Sequence, residues 1–258
     1  MTEDYSAELK VAVEAARFAG EFLRRSFDAP KTVNAELAHD LKLQLDKDTQ
    51  LLITERLRAA FPSYSVLGEE GETGQMTADA VWIVDPIDGT VNYFYGIPLF
   101  CVSIALQVKG KLVLGCVYDP MRDECYTAIA GSVARLNGLE LKVSSRRRMA
   151  EAVVFIGHGR HDGSGEDGIR RFAHISAQVR KIRILGTAAL TICYIAAGRF
   201  DAYIENRINL WDFAAARVIL ECAGGRLEFL PDGESSHTGS VIAWNGALPI
   251  HAALQLPE

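Results

Sequence analysis

Apolar positions along the chain follow helical and strand periods by turns. Over residues 6–27, Leu9, Val13, Ala16, Phe18, Phe22 and Leu23 recur near helical spacing, which predicts an amphipathic helix that stops before Pro30. A second helix is predicted over 47–60, ahead of Pro62. Ser65-Val-Leu67 reads as a short strand running into Gly68-Glu69-Glu70, and Val81-Trp-Ile-Val84 as a strand ending at Asp85-Pro86. Residues 99–108 and 111–118 flank Lys109-Gly110 as a hairpin would, and 124–129 adds a third strand.

The second half alternates. Val153–Ile156 reads as a strand before a Gly-rich loop at 157–168. A helix over 169–178, a strand over 180–184, a helix over 187–197 and a strand over 200–205 follow. A helix over 211–223, strands at 226–229 and 240–244, and a short terminal helix complete the pattern. Gly224-Gly225 suits the end of the 211–223 helix. Strands in runs, then alternation with helices, predict an α/β fold of layered sheets and helices. Ser144-Ser-Arg-Arg-Arg148 is polar between apolar segments. It is read as a solvated turn and marks a boundary between halves 1–145 and 146–258.

Composition narrows the function classes. The 258 residues allow one large domain or two small ones with a substantial core. Net charge is −6 and the pI is near 5.6, with no basic stripe, so no nucleic-acid partner is expected. An acidic enzyme acting on an anion needs local positive charge, which bound metal supplies. The five cysteines are widely spaced, odd in number and without C-x-x-C, which argues against a disulfide framework or a zinc site. They read as buried free thiols of a reducing compartment. The acidic N-terminus does not resemble a signal peptide. No apolar run approaches the ~18–20 residues of a membrane span. The expectation is a cytoplasmic protein with no membrane partner.

Three segments carry candidate chemistry. In Asp85-Pro86-Ile87-Asp88-Gly89-Thr90, a strand ends in one carboxylate and a turn brings a second within three residues. Two carboxylates so close repel unless a cation or proton separates them. Gly89-Thr90 opens a helix whose free amides suit an anion; an Asx-turn with an N-cap is the alternative use of the same residues. Glu69 and Glu70 sit at a strand end, where solvated glutamates are common. Asp212, after Trp211 at a helix start, serves equally as a cap. Together the three place carboxylates at strand ends and helix starts among apolar residues, the oxygen donors that a hard cation such as Mg²⁺ takes.

These motifs, in this order, resemble the inositol monophosphatase family: Gly-Glu-Glu, Asp-Pro-Ile-Asp-Gly-Thr and a late Trp-Asp, with the resemblance spanning nearly the whole chain. The resemblance implies a layered α/β/α/β/α sandwich of the inositol monophosphatase and fructose-1,6-bisphosphatase type. It also implies a Mg²⁺-dependent phosphatase, and usually a homodimer. By resemblance, Glu69, Asp85, the Ile87 carbonyl, Asp88 and Asp212 hold the metal, and Thr90 positions the attacking water with Asp46 behind it. The amides of Gly89 and Thr90 cradle phosphate. Gly186, Thr187 and Ala188 line the substrate, and Glu205 contacts its hydroxyls. Asp46 closes Asp40-Leu-Lys-Leu-Gln-Leu-Asp46, where the family's Asp-Leu-Val-Thr is altered and the Lys that often precedes it is absent. His39 or Lys42 stands in for that charge, or nothing does.

In Gly157-His-Gly-Arg-His-Asp-Gly-Ser-Gly165, His158, His161 and Asp162 are metal-ligand types, though irregular loops collect such residues and the P-loop lysine is missing. By resemblance this loop tunes specificity. Arg183 is expected to be a structural or interface ion-pair partner, Trp82 and Trp211 to pack behind the ligands, and Trp244 to be ordinary core. The leading expectation is hydrolysis of a small phosphate monoester, myo-inositol monophosphate or a similar polyol phosphate, by direct attack of water. Histidinol phosphate, fructose 1,6-bisphosphate and 3′-phosphoadenosine 5′-phosphate are alternative substrates. A non-catalytic regulator that keeps the fold is the alternative of another class.

Overall fold

Helix α1 (Ser6–Arg25) buries a stripe of small residues, Ala12, Ala15, Ala16, Ala19 and Gly20, closed by Leu23. Small side chains let the helix lie close to the sheet beneath; a Cβ on Gly20 would stand 2.5 Å from the Tyr118 ring. The face read by periodicity holds at Leu9, Val13, Ala16 and Leu23 and fails at Phe18. Phe18 is exposed and stacks against the Arg56 guanidinium.

The computed structural model describes residues 4–37, 40–73, 78–157, 165–233 and 237–255. After α1 come a ribbon of β1 (Val33–Leu37) and β2 (Asp40–Leu43), then α2 (Gln44–Ala60). β3 (Ser65–Gly68), β4 (Gly71–Thr73), β5 (Ala80–Asp88) and the short α3 (Thr90–Phe94) follow. The next strands are β6 (Cys101–Val108), β7 (Lys111–Asp119), β8 (Glu124–Ile129), β9 (Arg135–Leu136) and β10 (Leu139–Glu140). A 3₁₀ turn at Met149–Glu151 leads to β11 (Val153–Ile156), α4 (Gly165–Ser176) and β12 (Lys181–Arg183). The chain continues through α5 (Ala188–Ala196), β13 (Ala202–Asn209) and α6 (Leu210–Cys222). It closes with β14 (Arg226–Pro231), β15 (Thr238–Trp244) and α7 (Ile250–Leu254).

Five layers result. The first sheet has eight strands in the order β10-β9-β8-β7-β6-β5-β3-β4, antiparallel except for the parallel β3–β5 pair. The second has five, ordered β12-β11-β13-β15-β14, with β11 parallel to both neighbours. Helices α1 and α2 cover one face of the first sheet, with Leu23, Ile53 and Leu57 against Trp82, Val84 and Ile104. Helices α5 and α6 fill the space between the sheets, where Ile192 and Ile219 share a core with Ile83, Val117, Tyr203 and Val241. Ile175 of α4 and Ile250 of α7 close the outer face of the second sheet over Val154 and Trp244.

This sandwich explains the local sequence. β5 is covered on both faces, so 80–84 is a continuous apolar run. All nine residues of α5 are buried, as suits a helix between two sheets. Gly115 lets α6 lie directly on β7, since a Cβ there would stand 2.1 Å from the Ala215 carbonyl oxygen. The structure adds the β1–β2 ribbon, whose Val33–Leu37 and Asp40–Leu43 segments alternate apolar and polar residues, and three strands of two or three residues, β4, β9 and β10, too short to carry a pattern. The segment 144–148 is more than a solvated turn: Arg146 pairs with the fully buried Asp201. His39, His158, His161 and Asp162 lie outside the described residues. Among the described residues no helix is long and apolar enough to cross a membrane.

Candidate active site

The parallel pairing of β3 with β5 sets the first two acids side by side. Gly68 is in register with Val84, the last pair of the two strands, so Glu69 and Asp85 follow side by side at the same sheet end. The Glu69 amide donates to the Val84 carbonyl at 3.2 Å. Gln50 of α2 braces the turn that follows. Its Oε1 accepts the Glu70 amide at 2.9 Å and its Nε2 donates to the Gly71 carbonyl at 3.2 Å.

β5 does not stop at Asp85 but bulges. Against β6, Asp85 is opposite Ser103 and Asp88 opposite Cys101, three steps on one strand against two on the other. Such a bulge re-aims side chains, and Pro86, which has no amide hydrogen, fits where the ladder is interrupted. Asp85 Oδ1 accepts the Ile87 amide at 3.0 Å. Asp88 reaches the start of α5, accepting the Ala188 and Ala189 amides at 3.1 and 2.8 Å and the Thr187 hydroxyl. The Cys101 thiol lies 3.4 Å from the same carboxylate. Asp88 thus occupies the positive end of a helix that begins a hundred residues later in the chain. Gly89, with φ +102°, makes the left-handed turn into α3 that a side chain would strain.

Thr90 and Asp46 form a second constellation. The Thr90 hydroxyl lies 3.0 Å from the Ile87 carbonyl and 3.3 Å from Asp46 Oδ1. Asp46 is the third residue of α2, and its Oδ2 accepts the Leu43 amide at 2.8 Å. Asp212 repeats this device as the third residue of α6, accepting the Asn209 amide at 2.8 Å. Each acid satisfies a helix-start donor, so the capping use foreseen for Asp212 and its exposure to neighbouring charge coexist. Glu205, on β13, accepts the Tyr203 hydroxyl at 2.5 Å.

The electrostatics draw these segments into one cluster. Burial pushes Asp85 well above the usual carboxylate range, and the charges of Glu69, Asp88, Asp212 and Asp46 add to it. Burial likewise raises Asp212 well above that range; Asp88, Glu69 and Glu205 add, and the Asn209 amide opposes. Asp88 is raised by burial against the opposing hydrogen bonds from Thr187, Ala188, Cys101 and Ala189. The acids come from five separate segments, and their charges reinforce one another. Such a group calls for a cation or for protons. All its donors are oxygen, the chemistry of a hard divalent ion. Among the described residues no three acidic, histidine or cysteine side chains already form a complete cage.

Several of these contacts have no local signal in the sequence. Thr187 and Ala188, expected to line the substrate, donate to Asp88, and Gly186 precedes them with φ +72°. Asn92 of α3 ties this loop down through the Leu185 and Leu99 carbonyls, at 2.6 and 2.8 Å. Trp82 is fully buried beside Phe61 and Tyr64, while Trp211 is half-buried and its carbonyl lies 3.4 Å from the Ser103 hydroxyl. Arg183 is exposed and donates to the Ile182 carbonyl.

Known proteins resemble the chain over nearly its full length. The chain is 38% identical over 246 residues to an inositol-1-monophosphatase of Rhizobium meliloti, covering 93% of this chain and 92% of that protein. It is 37% identical over 246 residues to the Nus factor SuhB of Pseudomonas aeruginosa, covering 92% and 91%. The crystal structure of the extragenic suppressor protein suhB from Bartonella henselae superposes with a TM-score of 0.88 at 35% identity, over 96% of this chain and 97% of that one. Residues 4–250 match the model of the inositol monophosphatase family, and the chain belongs to that family. It is a phosphatase, a phosphoric monoester hydrolase of a metal-dependent family that acts on small phosphate monoesters.

Proposed function

We propose that the protein hydrolyses a polyol phosphate, myo-inositol monophosphate or a close analogue, with Mg²⁺ held by Glu69, Asp85, Asp88, Asp212 and the Ile87 carbonyl. The observation that carries this reading is the convergence of buried acids whose charges reinforce one another around Asp85. The name of the Rhizobium relative supports the substrate. Bound Mg²⁺ supplies charge neutralisation for the phosphoryl group and makes water a usable nucleophile at neutral pH.

The chain's own residues do the positioning. Thr90 orients the attacking water through its hydroxyl, which lies between the Ile87 carbonyl and Asp46. A threonine hydroxyl is too weak a base to take the proton itself, so Asp46 or Glu69 accepts it. The amides of Gly89 and Thr90 receive the phosphate, and Gly186, Thr187 and Ala188 border the substrate. Glu205 accepts hydrogen bonds from its hydroxyls. Phosphate passes directly to water. The buried free cysteines 101, 116, 125 and 193 support a reducing, cytoplasmic compartment. A homodimer follows from the family resemblance.

A phosphate-release screen tests the reading, using inositol, sugar, histidinol and nucleotide phosphates with and without Mg²⁺. Release from inositol monophosphate that depends on Mg²⁺ is the expected result; release from none of them would end it. The relatives named Nus factor SuhB motivate a second reading, a regulatory binding protein. The presence of Glu69, Asp85, Asp88, Thr90 and Asp212 together favours turnover, and the same screen separates the two.

A further inference from the structure

β11 and β13 run parallel, with Phe155 beside Tyr203 and Ile156 beside Ile204. Gly157 continues that register, and its amide donates to the Ile204 carbonyl at 2.8 Å. The space a side chain would take at Gly157 is filled by Glu205: a Cβ there would stand 2.1 Å from Glu205 Cδ. Tyr203 is fully buried, its ring stacked on Phe155 at 4.9 Å. Its hydroxyl donates to Glu205 Oε2 at 2.5 Å. Burial and the Glu205 charge both keep the phenol protonated, so it remains a donor. Glu205 in turn adds to the field at Asp212.

We infer that Tyr203 and Gly157 are positioning residues that set the Glu205 carboxylate for a leaving group bearing hydroxyls. The inference rests on the phosphatase reading of this site. One residue tethers the carboxylate by a hydrogen bond, and the other makes room for it by lacking a side chain. A carboxylate has about four lone-pair positions, and the tether takes up only one of them. Fixing it beforehand spares the substrate the entropy of ordering it.

The two devices fail in different ways. Tyr203→Phe removes the tether and keeps the stacked ring. Gly157→Ala keeps the Tyr203 hydroxyl and pushes the carboxylate aside, Oε2 included, since that oxygen would stand 2.4 Å from the added Cβ; φ at Gly157 is not positive, and the obstructing group is the end of a flexible side chain. We would compare kcat and KM for inositol monophosphate and for phenyl phosphate, whose leaving group carries no further hydroxyl, with Mg²⁺ present. The ratio of kcat/KM between the two should fall about tenfold in each variant, mostly through KM, as for a lost hydrogen bond to a charged group. In a Glu205→Ala background, Tyr203→Phe should add little. Thermal unfolding of each variant shows that the fold is intact. Equal losses on both substrates, an unchanged ratio, or full additivity with Glu205→Ala would overturn the inference and leave the phosphatase reading standing. Wild-type protein inactive on both substrates would overturn both.

Discussion

Asp201 and Asp85 are aspartates of equal burial, 0% and 2% exposed, in opposite surroundings. Arg146 Nε lies 2.8 and 2.9 Å from the two oxygens of Asp201, while the Ser144 hydroxyl and the Val153 amide donate at 2.5 and 2.8 Å. Arg146 also donates to the Gly198 carbonyl, and Asn245 fastens the segment through the Ser144 and Arg146 carbonyls. Asp85 accepts the Ile87 amide, and the charges that act on it are those of Glu69, Asp88, Asp212 and Asp46. The first carboxylate arrives with its countercharge and joins two segments. The second is held with its charge uncompensated by those neighbours. A buried acid is therefore informative only together with what faces it.

Breaking the contrast on the Asp85 side gives the largest effect. Asp85→Asn should lower kcat/KM by about a thousandfold, the scale of losing one group that stabilises the transition state. The unfolding midpoint should hold or rise, since a repelling charge is gone; steady-state phosphate release and calorimetry read the two. Asp201→Ala should do the reverse. It leaves Arg146 without its partner and should cost roughly 3 kcal/mol of stability. Activity per folded molecule should stay near wild type, as urea unfolding and activity assays at low temperature would show.

Metal sharpens the contrast further. Mg²⁺ at a hundredfold excess over its Kd should stabilise the wild type by about 2.7 kcal/mol, seen as a higher midpoint in thermal unfolding. Asp85→Asn should lose most of that gain, whereas Asp201→Ala should keep it. The smallest effect belongs to a pair at the surface, the exposed Arg199 and the half-buried Glu124, with contacts at 2.6 and 2.7 Å. The Arg199 hydrogen bond holds Glu124 below the usual carboxylate range. A folded-state pKa below the unfolded one means that this stability is present above the unfolded value. It is lost as pH falls through the folded one. Arg199→Gln should flatten the acid limb of stability against pH by less than about 1 kcal/mol, the ordinary size for a solvent-screened pair.

The candidate site was legible where its signals are local. Asp85-Pro86-Ile87-Asp88-Gly89-Thr90 writes a strand end, a turn and a helix start in six residues. Trp211-Asp212 and Gly68-Glu69 likewise lie at element boundaries that apolar runs define. The helices and the longer strands were legible for the same reason, within a few residues at their ends. Partners distant in sequence were not. Thr187 reaches Asp88 across 99 positions, Arg146 reaches Asp201 across 55, and Gln50 reaches Glu70 across 20. Each of these residues has ordinary surface character until the sheets bring its partner to it. On α1 the periodicity found Ala16 and Leu23 in the core and Leu9 and Val13 against it, but it placed the exposed Phe18 inward and passed over Ala12, Ala15 and Ala19, the small residues that close packing against the sheet requires.

Asp88 has a consequence for how this protein can change. Its carboxylate belongs to the first sheet, yet it holds the first amides of the helix that fills the gap to the second. A substitution there would strip a carboxylate from the acid cluster and uncap α5 in the same stroke. Asparagine could keep part of the cap, but it could not keep the charge. Natural variation at this position is therefore judged twice, once on turnover and once on folding. A lineage that gave up catalysis would still be under pressure to retain the aspartate, so its presence in a relative reports an intact sandwich as much as a working enzyme.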